Sequence, residues 1–441
     1  MNTPNTLADN RHNAPLFLGI DLGTSGVRAI VIDSSGNIVS QVRTEYPHSS
    51  AFHSDSHPEN WWHAVVHVIE GLLYGSPQLA RAIVSISVDG TSSSVLICDE
   101  NGLPLHEALM YFDRRAVQQA KRIQAVCPQH NPAAAITSGL AKWLWLQENC
   151  HWQGRYHLLH QADWIAGKLA GRFDFSDENN ALKSGYDPLQ KCWPDWVKTL
   201  VSDMDALPNV LPAGIAVCTL SETIANQFGF DESTIIVSGT TDSTAAVIAT
   251  GASDVGDAIT SLGSTLVLKV ISDRPVSEAE AGIYSQPFGN VWLVGGASNS
   301  GGSVLRQFFT DTQMAEYQQK INVNQETQLD YYPLPEEGER FPLNNPQMKS
   351  RITPRPKNDV IFFQGLLEGI ANIEYLGYTK LHACGAPWPN SIRTTGGGSK
   401  NTAWKLIRQN KLKLPMSEVQ QIEAAYGSAR LARRGWADQQ T

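Results

Sequence analysis

Two short segments of this chain, about 240 residues apart, repeat one pattern: Ile20-Asp21-Leu22-Gly23-Thr24-Ser25 and Thr260-Ser261-Leu262-Gly263-Ser264-Thr265. The first lies between the β-rich runs Leu16 to Ile20 and Val27 to Ile32, the second between Ala258 to Thr260 and Leu266 to Ile271. Each reads as a tight hairpin with a glycine and two hydroxyls at its tip. Glycine lets backbone N–H groups turn toward an oxygen-rich ligand with no side chain in the way, and neighbouring hydroxyls add donors. A phosphate-gripping device built twice points to two related halves that hold a nucleotide between them. The first copy carries an acid, Asp21, where the second has Ser261. One hairpin is therefore expected to handle a metal or substrate while the other holds phosphate.

The bulk properties agree with this and exclude other classes. At 441 residues the chain has room for two domains, each with its own core. A net charge of −9 argues against a nucleic-acid surface, so any polyphosphate is held locally. No apolar run approaches the roughly 20 residues of a membrane helix. The first 14 residues are polar, lack the order of a signal peptide, and are expected to form a loose tail. The six cysteines (Cys98, Cys127, Cys150, Cys192, Cys218 and Cys384) show no C-x-x-C spacing. They read as structural thiols in a reduced, cytoplasmic setting.

Along the chain, Leu16 to Asp21, Val27 to Ile32 and Ile38 to Val42 form a meander. Pro58 opens a helix with Trp62, Val65, Val66, Ile69, Leu72 and Leu73 at helical spacing. Ile83 to Val88 is a buried strand, and Asp99-Glu100-Asn101-Gly102 a hairpin turn. Ala141 to Gly171 is read as mostly helical; Trp143, Trp145 and Trp164 within it either line a sugar pocket or belong to the core. Thr234 to Val237 is a strand feeding Gly239-Thr240-Thr241-Asp242 and the helix Ala245 to Ala249. The break at Gly251 to Gly256 places the domain boundary, giving domains 14–251 and 252–416. Asn322 to Asn358 reads as a long surface excursion. Ile361 to Leu376 is a helix, and Ser391 to Thr394 a strand before Thr395-Gly396-Gly397-Gly398-Ser399-Lys400-Asn401 and a further helix from Thr402 to Gln409. The second half thus repeats the strand-loop-helix logic of the first.

No G-x-x-x-x-G-K-[ST] segment exists, which excludes a P-loop. The glycine-rich run Gly295 to Gly302 lacks the G-x-G-x-x-G spacing, and no acid ends a strand about 20 residues on. Helix capping with close packing is the expected use of its glycines. Asp242 stands where a strand ends and a helix begins, a place where the helix dipole favours a carboxylate. It is either a helix N-cap or a general base that takes the proton of an attacking hydroxyl. Asp21 either satisfies turn amides or contacts Mg²⁺ through water, since that ion keeps much of its hydration shell. Asp89, in Val88-Asp89-Gly90-Thr91-Ser92, and Asp113, beside Arg114 and Arg115 after another expected strand, either grip sugar hydroxyls or serve an arginine or a turn.

The motifs occur in the order found in the FGGY family of carbohydrate kinases, within the actin and hexokinase-like ATPase superfamily, and the chain resembles that family over residues 16 to 435. Gly19-Ile20-Asp21-Leu22-Gly23-Thr24-Ser25, Gly239-Thr240-Thr241-Asp242, Ser261-Leu262-Gly263-Ser264-Thr265 and Thr395-Gly396-Gly397-Gly398 carry the resemblance. It implies an α/β fold of two ribonuclease H-like domains flanking a cleft, with ATP mainly on the second and sugar mainly on the first. The last helical stretch, Ser417 to Trp436, would pack back on the first. It further implies Asp242 as base and Asp21 as both Mg²⁺ and substrate contact. Gly23, Thr24, Ser25, Gly263, Ser264 and Thr265 would contact phosphate, and Gly397, Gly398 and Asn401 would border the adenosine. Asp89, Ser92 and Asp113 would join Asp242 at the sugar. The expected ligands are ATP, Mg²⁺ and a small sugar, with no nucleic-acid or membrane partner, in a monomer or homodimer.

The chain lacks the N-Q-R-E-T segment of glycerol kinases and the G-Q-M-H-G segment of bacterial xylulose kinases. Its Val88-Asp89-Gly90-Thr91-Ser92-Ser93 is similar to the V-D-x-T-x-S of ribulose-type kinases, and Tyr111-Phe112-Asp113 replaces the usual W-x-D. Size and this segment resemble the short cyanobacterial and plant D-ribulose kinases once labelled xylulose kinase-like. The leading expectation is an ATP-dependent D-ribulose kinase. A D-xylulose kinase is the alternative, and a nucleotide-dependent sensor of the same superfamily is the alternative of another class.

Overall fold

In both halves of the chain, the strand that runs into a glycine hairpin becomes an inner strand of a six-stranded mixed sheet. The computed structural model describes residues 14–46, 57–129 and 131–440. The polar opening segment expected as a tail lies, up to residue 13, outside the described residues. The chain divides into two compact units, Met1–Ala249 with Gln421–Thr441, and Thr250–Gln420.

In the first unit Leu16–Leu22 pairs antiparallel with Gly26–Ile32 through the hairpin and parallel with Ile83–Gly90, which in turn pairs parallel with Ile235–Thr241. In the second unit Asp257–Leu262 pairs antiparallel with Leu266–Ser272 and parallel with Ser391–Thr395. The repeated hairpins are thus the same element of two sheets with the same local pairing. Phe17, Leu18, Ile20 and Leu22 are all buried, as expected of an inner strand covered on both faces. Each unit is thus an α/β structure built on its own six-stranded mixed sheet.

Helix Pro58–Leu73 covers the first sheet through Trp61, Ala64, Val65, Val68, Ile69 and Leu72. Val65, Ile69 and Leu72 are buried as expected, while Trp62, Val66 and Leu73 lie at the edge of the stripe and Trp61, Ala64 and Val68 complete it. Trp61 packs edge-on against Trp164 at 6.4 Å, while Trp62 sits at the rim under the Lys168 ammonium. Trp143 and Trp164 are fully buried core residues; Trp145 is half-buried and carries the Arg115 guanidinium 5.0 Å above its ring.

Three expectations are corrected. In the stretch read as mostly helical the two helices, Gly139–Asn149 and Gln161–Ala170, are present, but Tyr156–His160 between them is a strand paired with Val95–Asp99, a partner that no local pattern could show. Asp113 follows a turn, with its N–H bonded to Met110 O at 2.9 Å and only an isolated bridge at Leu109 before it. The excursion 322–358 has no long element but is anchored: Tyr331, Tyr332, Leu334 and Phe341 are buried in the second core. Glu339 pins it by accepting from Ser298 Oγ at 2.6 Å, Asn299 N at 2.8 Å and Tyr332 Oη at 2.9 Å.

The last helix is Ala424–Ala437, shorter than expected because Ser417 belongs to the strand Met416–Ser417. It lies close on the first sheet. A Cβ at Gly19 would stand 2.0 Å from Ala425 O, and Ser85 Oγ donates to Ala432 O at 2.8 Å. Small residues on the strands let this helix come within reach of the acids described next.

Candidate active site

Asp21 and Asp89 are cross-strand neighbours in parallel register, and Asp242 opens the helix Asp242–Ala249 directly after the next strand. All three stand at the carboxyl ends of adjacent parallel strands, where open α/β sheets place ligands. Gly239 shapes the approach to Asp242. The register slips between Val237 and Thr240, and a Cβ at Gly239 would lie 1.8 Å from Val88 O, so this bulge admits only glycine. Thr241 precedes the helix with its hydroxyl 3.0 Å from that of Thr244. Asp242 therefore sits in the first turn beyond the capping position, half-buried, its Oδ1 accepting from Ser243 N at 2.6 Å.

Asp89 occupies a different layer. It is 0% exposed, Ser428 Oγ of the last helix donates to its Oδ2 at 2.5 Å, and its Oδ1 is buried with no donor in reach. Burial, reinforced by the charge of Asp21, pushes its carboxyl well above the usual range. Burial also raises Asp21, but there Asp89 and the Arg28 guanidinium, 3.3 Å from Oδ2, oppose it. Both carboxyls are therefore pushed up, Asp89 the more strongly. Asp89 is covered by the last helix, while Ser92 beyond it is half-buried.

Asp113 adopts the arginine-serving alternative: Arg115 Nε lies 2.9 Å from Oδ2, and Arg115 N donates to Oδ1 at 2.9 Å. The chain Asp113–Arg115–Trp145 fixes this turn. A Ser184–His160–Asp163 relay, with His160 Nε2 2.8 Å from Ser184 Oγ and Nδ1 2.6 Å from Asp163 Oδ2, resembles a nucleophile triad. All three side chains are buried, and Asp163 and His160 form the capping box of helix Gln161–Ala170, so the relay is structural.

At the first hairpin Gly23 N bonds to Gly26 O at 3.0 Å and Thr24 and Ser25 are exposed at the tip. In the second unit a cavity of about 650 Å³ gathers Gly263, Ser264, Gly397, Gly398 and Asn401; Thr265 is not in its lining. Thr265 instead closes the tip, its carbonyl accepting from Gly263 N at 3.2 Å. Gly396, at φ 80°, turns the loop, and Asn401 Oδ1 caps helix Thr402–Leu412 by accepting from Trp404 N at 2.9 Å. Arg306, Met314, Gln318 and Trp404 complete the wall and were not evident from local sequence. The signal was present in the run Gly295 to Gly302. Gly302 N donates to Gly263 O at 2.8 Å and Ser303 N to Ser264 O at 3.1 Å, so those glycines brace the second hairpin.

Among the described residues no cluster of three or more His, Cys, Asp or Glu side chains has metal-holding geometry. An ion that arrives with nucleotide phosphates needs only one or two carboxylates, and Asp21 at its strand end offers one. The residues fit Mg²⁺ in that limited sense.

Comparison with known proteins places this geometry. Residues 16–249 match the N-terminal domain of the FGGY family of carbohydrate kinases and residues 258–436 its C-terminal domain. The chain belongs to that family and is a carbohydrate kinase. It is 26% identical over 442 residues to a xylulose kinase of Escherichia coli (strain K12), covering 95% of this chain and 89% of the relative. In structure it is similar to a xylulose kinase from Brucella ovis, with TM-score 0.83 at 21% identity over 96% of this chain and 91% of the other. It is also similar to a gluconate kinase from Lactobacillus acidophilus, with TM-score 0.80 at 19% identity over 97% and 90%. Among the described residues no helix is long and apolar enough to cross a membrane.

Proposed function

We propose that this kinase transfers the γ-phosphoryl group of ATP to the primary hydroxyl of a ketopentose, D-ribulose in the first instance, giving D-ribulose 5-phosphate. The observation that carries the reading is the arrangement of the three acids at adjacent strand ends: Asp89 covered by the last helix, Asp21 beside it in register, and Asp242 half-buried in the first turn of a helix beyond a glycine bulge. A carboxylate so placed suits a general base, and Asp242 takes the proton from the attacking hydroxyl. Ser92 contacts the sugar, and Asp113, already held by Arg115, borders it.

The second unit's cavity takes the nucleotide: Gly263 and Ser264 face the phosphates and Gly397, Gly398 and Asn401 the adenosine. Thr24 and Ser25 add hydroxyls to the transferring group. When bound with the nucleotide, Mg²⁺ would be held through Asp21 and would neutralise charge on the phosphoryl oxygens. The remaining catalysis is positioning and electrostatic stabilisation.

D-Xylulose is the second reading, favoured by the E. coli relative named for that sugar. The segment Val88-Asp89-Gly90-Thr91-Ser92-Ser93 supports D-ribulose. ADP release measured over D-ribulose, D-xylulose, other ketoses, polyols, gluconate and glycerol separates them. The highest kcat/KM is expected with D-ribulose. A tenfold or larger preference for D-xylulose would transfer the assignment to that sugar, and turnover confined to gluconate or glycerol would remove both pentoses.

A further inference from the structure

The strand Ile83–Gly90 ends in four consecutive hydroxyl residues, Thr91 to Ser94, and their hydrogen bonds can be counted. Thr91 N and Oγ1 both donate to Gln161 Oε1, at 3.0 and 2.8 Å. Ser94 Oγ lies 2.5 Å from Thr91 Oγ1 and accepts from Tyr111 N at 3.0 Å. Thr91 and Ser94 are therefore committed to the scaffold. Ser92 is half-buried, and Ser93 Oγ is buried with no partner. Ser93 also adopts φ 69°, a left-handed conformation that side-chain-bearing residues avoid unless their surroundings impose it.

Lys142 holds the carbonyl of this residue. From the helix Gly139–Asn149 its Nζ donates to Ser93 O at 2.7 Å. The side chain is 0% exposed. Burial pushes its ammonium down to about 7, against the opposing pull of the Asp113 charge. A lysine at a packing position is costly, and a leucine or methionine would fill the space without desolvating an amine. Here the amine holds one main-chain carbonyl of a strained residue, next to the serine on the sugar side. An N–H of Lys142 donates to that carbonyl in either protonation state.

We infer that Lys142 is a positioning residue for the acceptor sugar: by holding Ser93 O it maintains the left-handed bend that presents the Ser92 hydroxyl. The inference rests on the reading of Ser92 as a sugar contact. Steady-state kinetics of the full-length enzyme, varying sugar at saturating ATP and ATP at saturating sugar, test it in Ser92→Ala, Lys142→Met, Lys142→Gln and Lys142→Met/Ser93→Gly.

Both Ser92→Ala and Lys142→Met are expected to raise sugar KM about tenfold, with ATP KM within about twofold and the thermal midpoint not lowered. Glycine adopts positive φ without strain, so adding Ser93→Gly is expected to restore most of the loss. If Ser92→Ala leaves sugar KM unchanged, the sugar reading of the loop falls and the Lys142 role with it. If Ser92→Ala acts and Lys142→Met does not, only the Lys142 role is overturned. Equal effects of Lys142→Met on both substrates, or no rescue by Ser93→Gly, also overturn it. Should the methionine variant not fold, Lys142→Gln carries the same test, since its shorter amide cannot reach Ser93 O in the same way.

Discussion

Removing the Arg408 guanidinium should destabilise the second unit by about 3–5 kcal/mol, the range for an uncompensated buried charge. Arg408 and Glu374 are 1% and 0% exposed and meet bidentately, Nε to Oε2 at 2.6 Å and Nη2 to Oε1 at 2.7 Å. Arg408 Nη1 reaches Thr394 Oγ1 at 2.8 Å, and Thr260 Oγ1 donates to Glu374 Oε1 at 2.5 Å. Unit charges about 4 Å apart at an effective dielectric near 20 attract by about 4 kcal/mol, which agrees with that range. Arg408→Met leaves Glu374 buried with one hydroxyl for support. The Glu374→Leu/Arg408→Met double variant removes both charges and is expected within about 2 kcal/mol of wild type, because matched apolar replacements of a buried pair are often neutral.

Thr260 leads into the Gly263 hairpin and Thr394 into the Gly396–Gly398 loop, so the network ties together two walls of the cavity proposed for the nucleotide. Urea unfolding followed by circular dichroism, with and without ADP, reads both effects. The double variant should recover stability yet bind ADP about tenfold more weakly than wild type. A cost below about 1 kcal/mol for Arg408→Met would refute the energetic reasoning. Wild-type ADP affinity in the double variant would refute the link to the nucleotide.

Three further outcomes are expected. Asp242→Asn should lower kcat by at least about 10² with ADP affinity unchanged, the amount a positioned base supplies; near-normal turnover by ADP release would remove Asp242 from the chemistry. Glu178, raised by burial from 4.5 to about 7, holds a proton in the folded state that the unfolded chain has released between those values. Its contribution is fully present below pH 4.5 and is lost as pH rises through 7, by up to about 3 kcal/mol. The wild-type minus Glu178→Gln difference in unfolding free energy should follow that slope, and a flat difference would contradict it. Gly19→Ala should cost about 1–3 kcal/mol through overpacking, read as a lower thermal midpoint, because its Cβ would sit 2.0 Å from Ala425 O in the last helix.

Both hairpins, most strands, the helix at Pro58 and Asp242's place at a strand-helix junction were legible in the sequence. These features depend on short-range chemistry: apolar runs, glycine at a tip, proline at a first turn. The strand Tyr156–His160 was not legible, because its partner Val95–Asp99 lies about 60 residues away. The same limit hid Arg306, Met314 and Gln318, which reach the second unit's cavity only after the strand Val291–Ser298 returns beside the second hairpin.

The division of labour among the acids shows the boundary most clearly. Residue type and spacing alone determined that Asp21, Asp89 and Asp242 end strands or begin a helix in a chain built on two related glycine hairpins. Only the tertiary structure decided which of them is covered and which stays half-buried. Burial depends on neighbours brought from afar, and Ser428, more than 330 residues beyond Asp89, belongs to the helix that seals it.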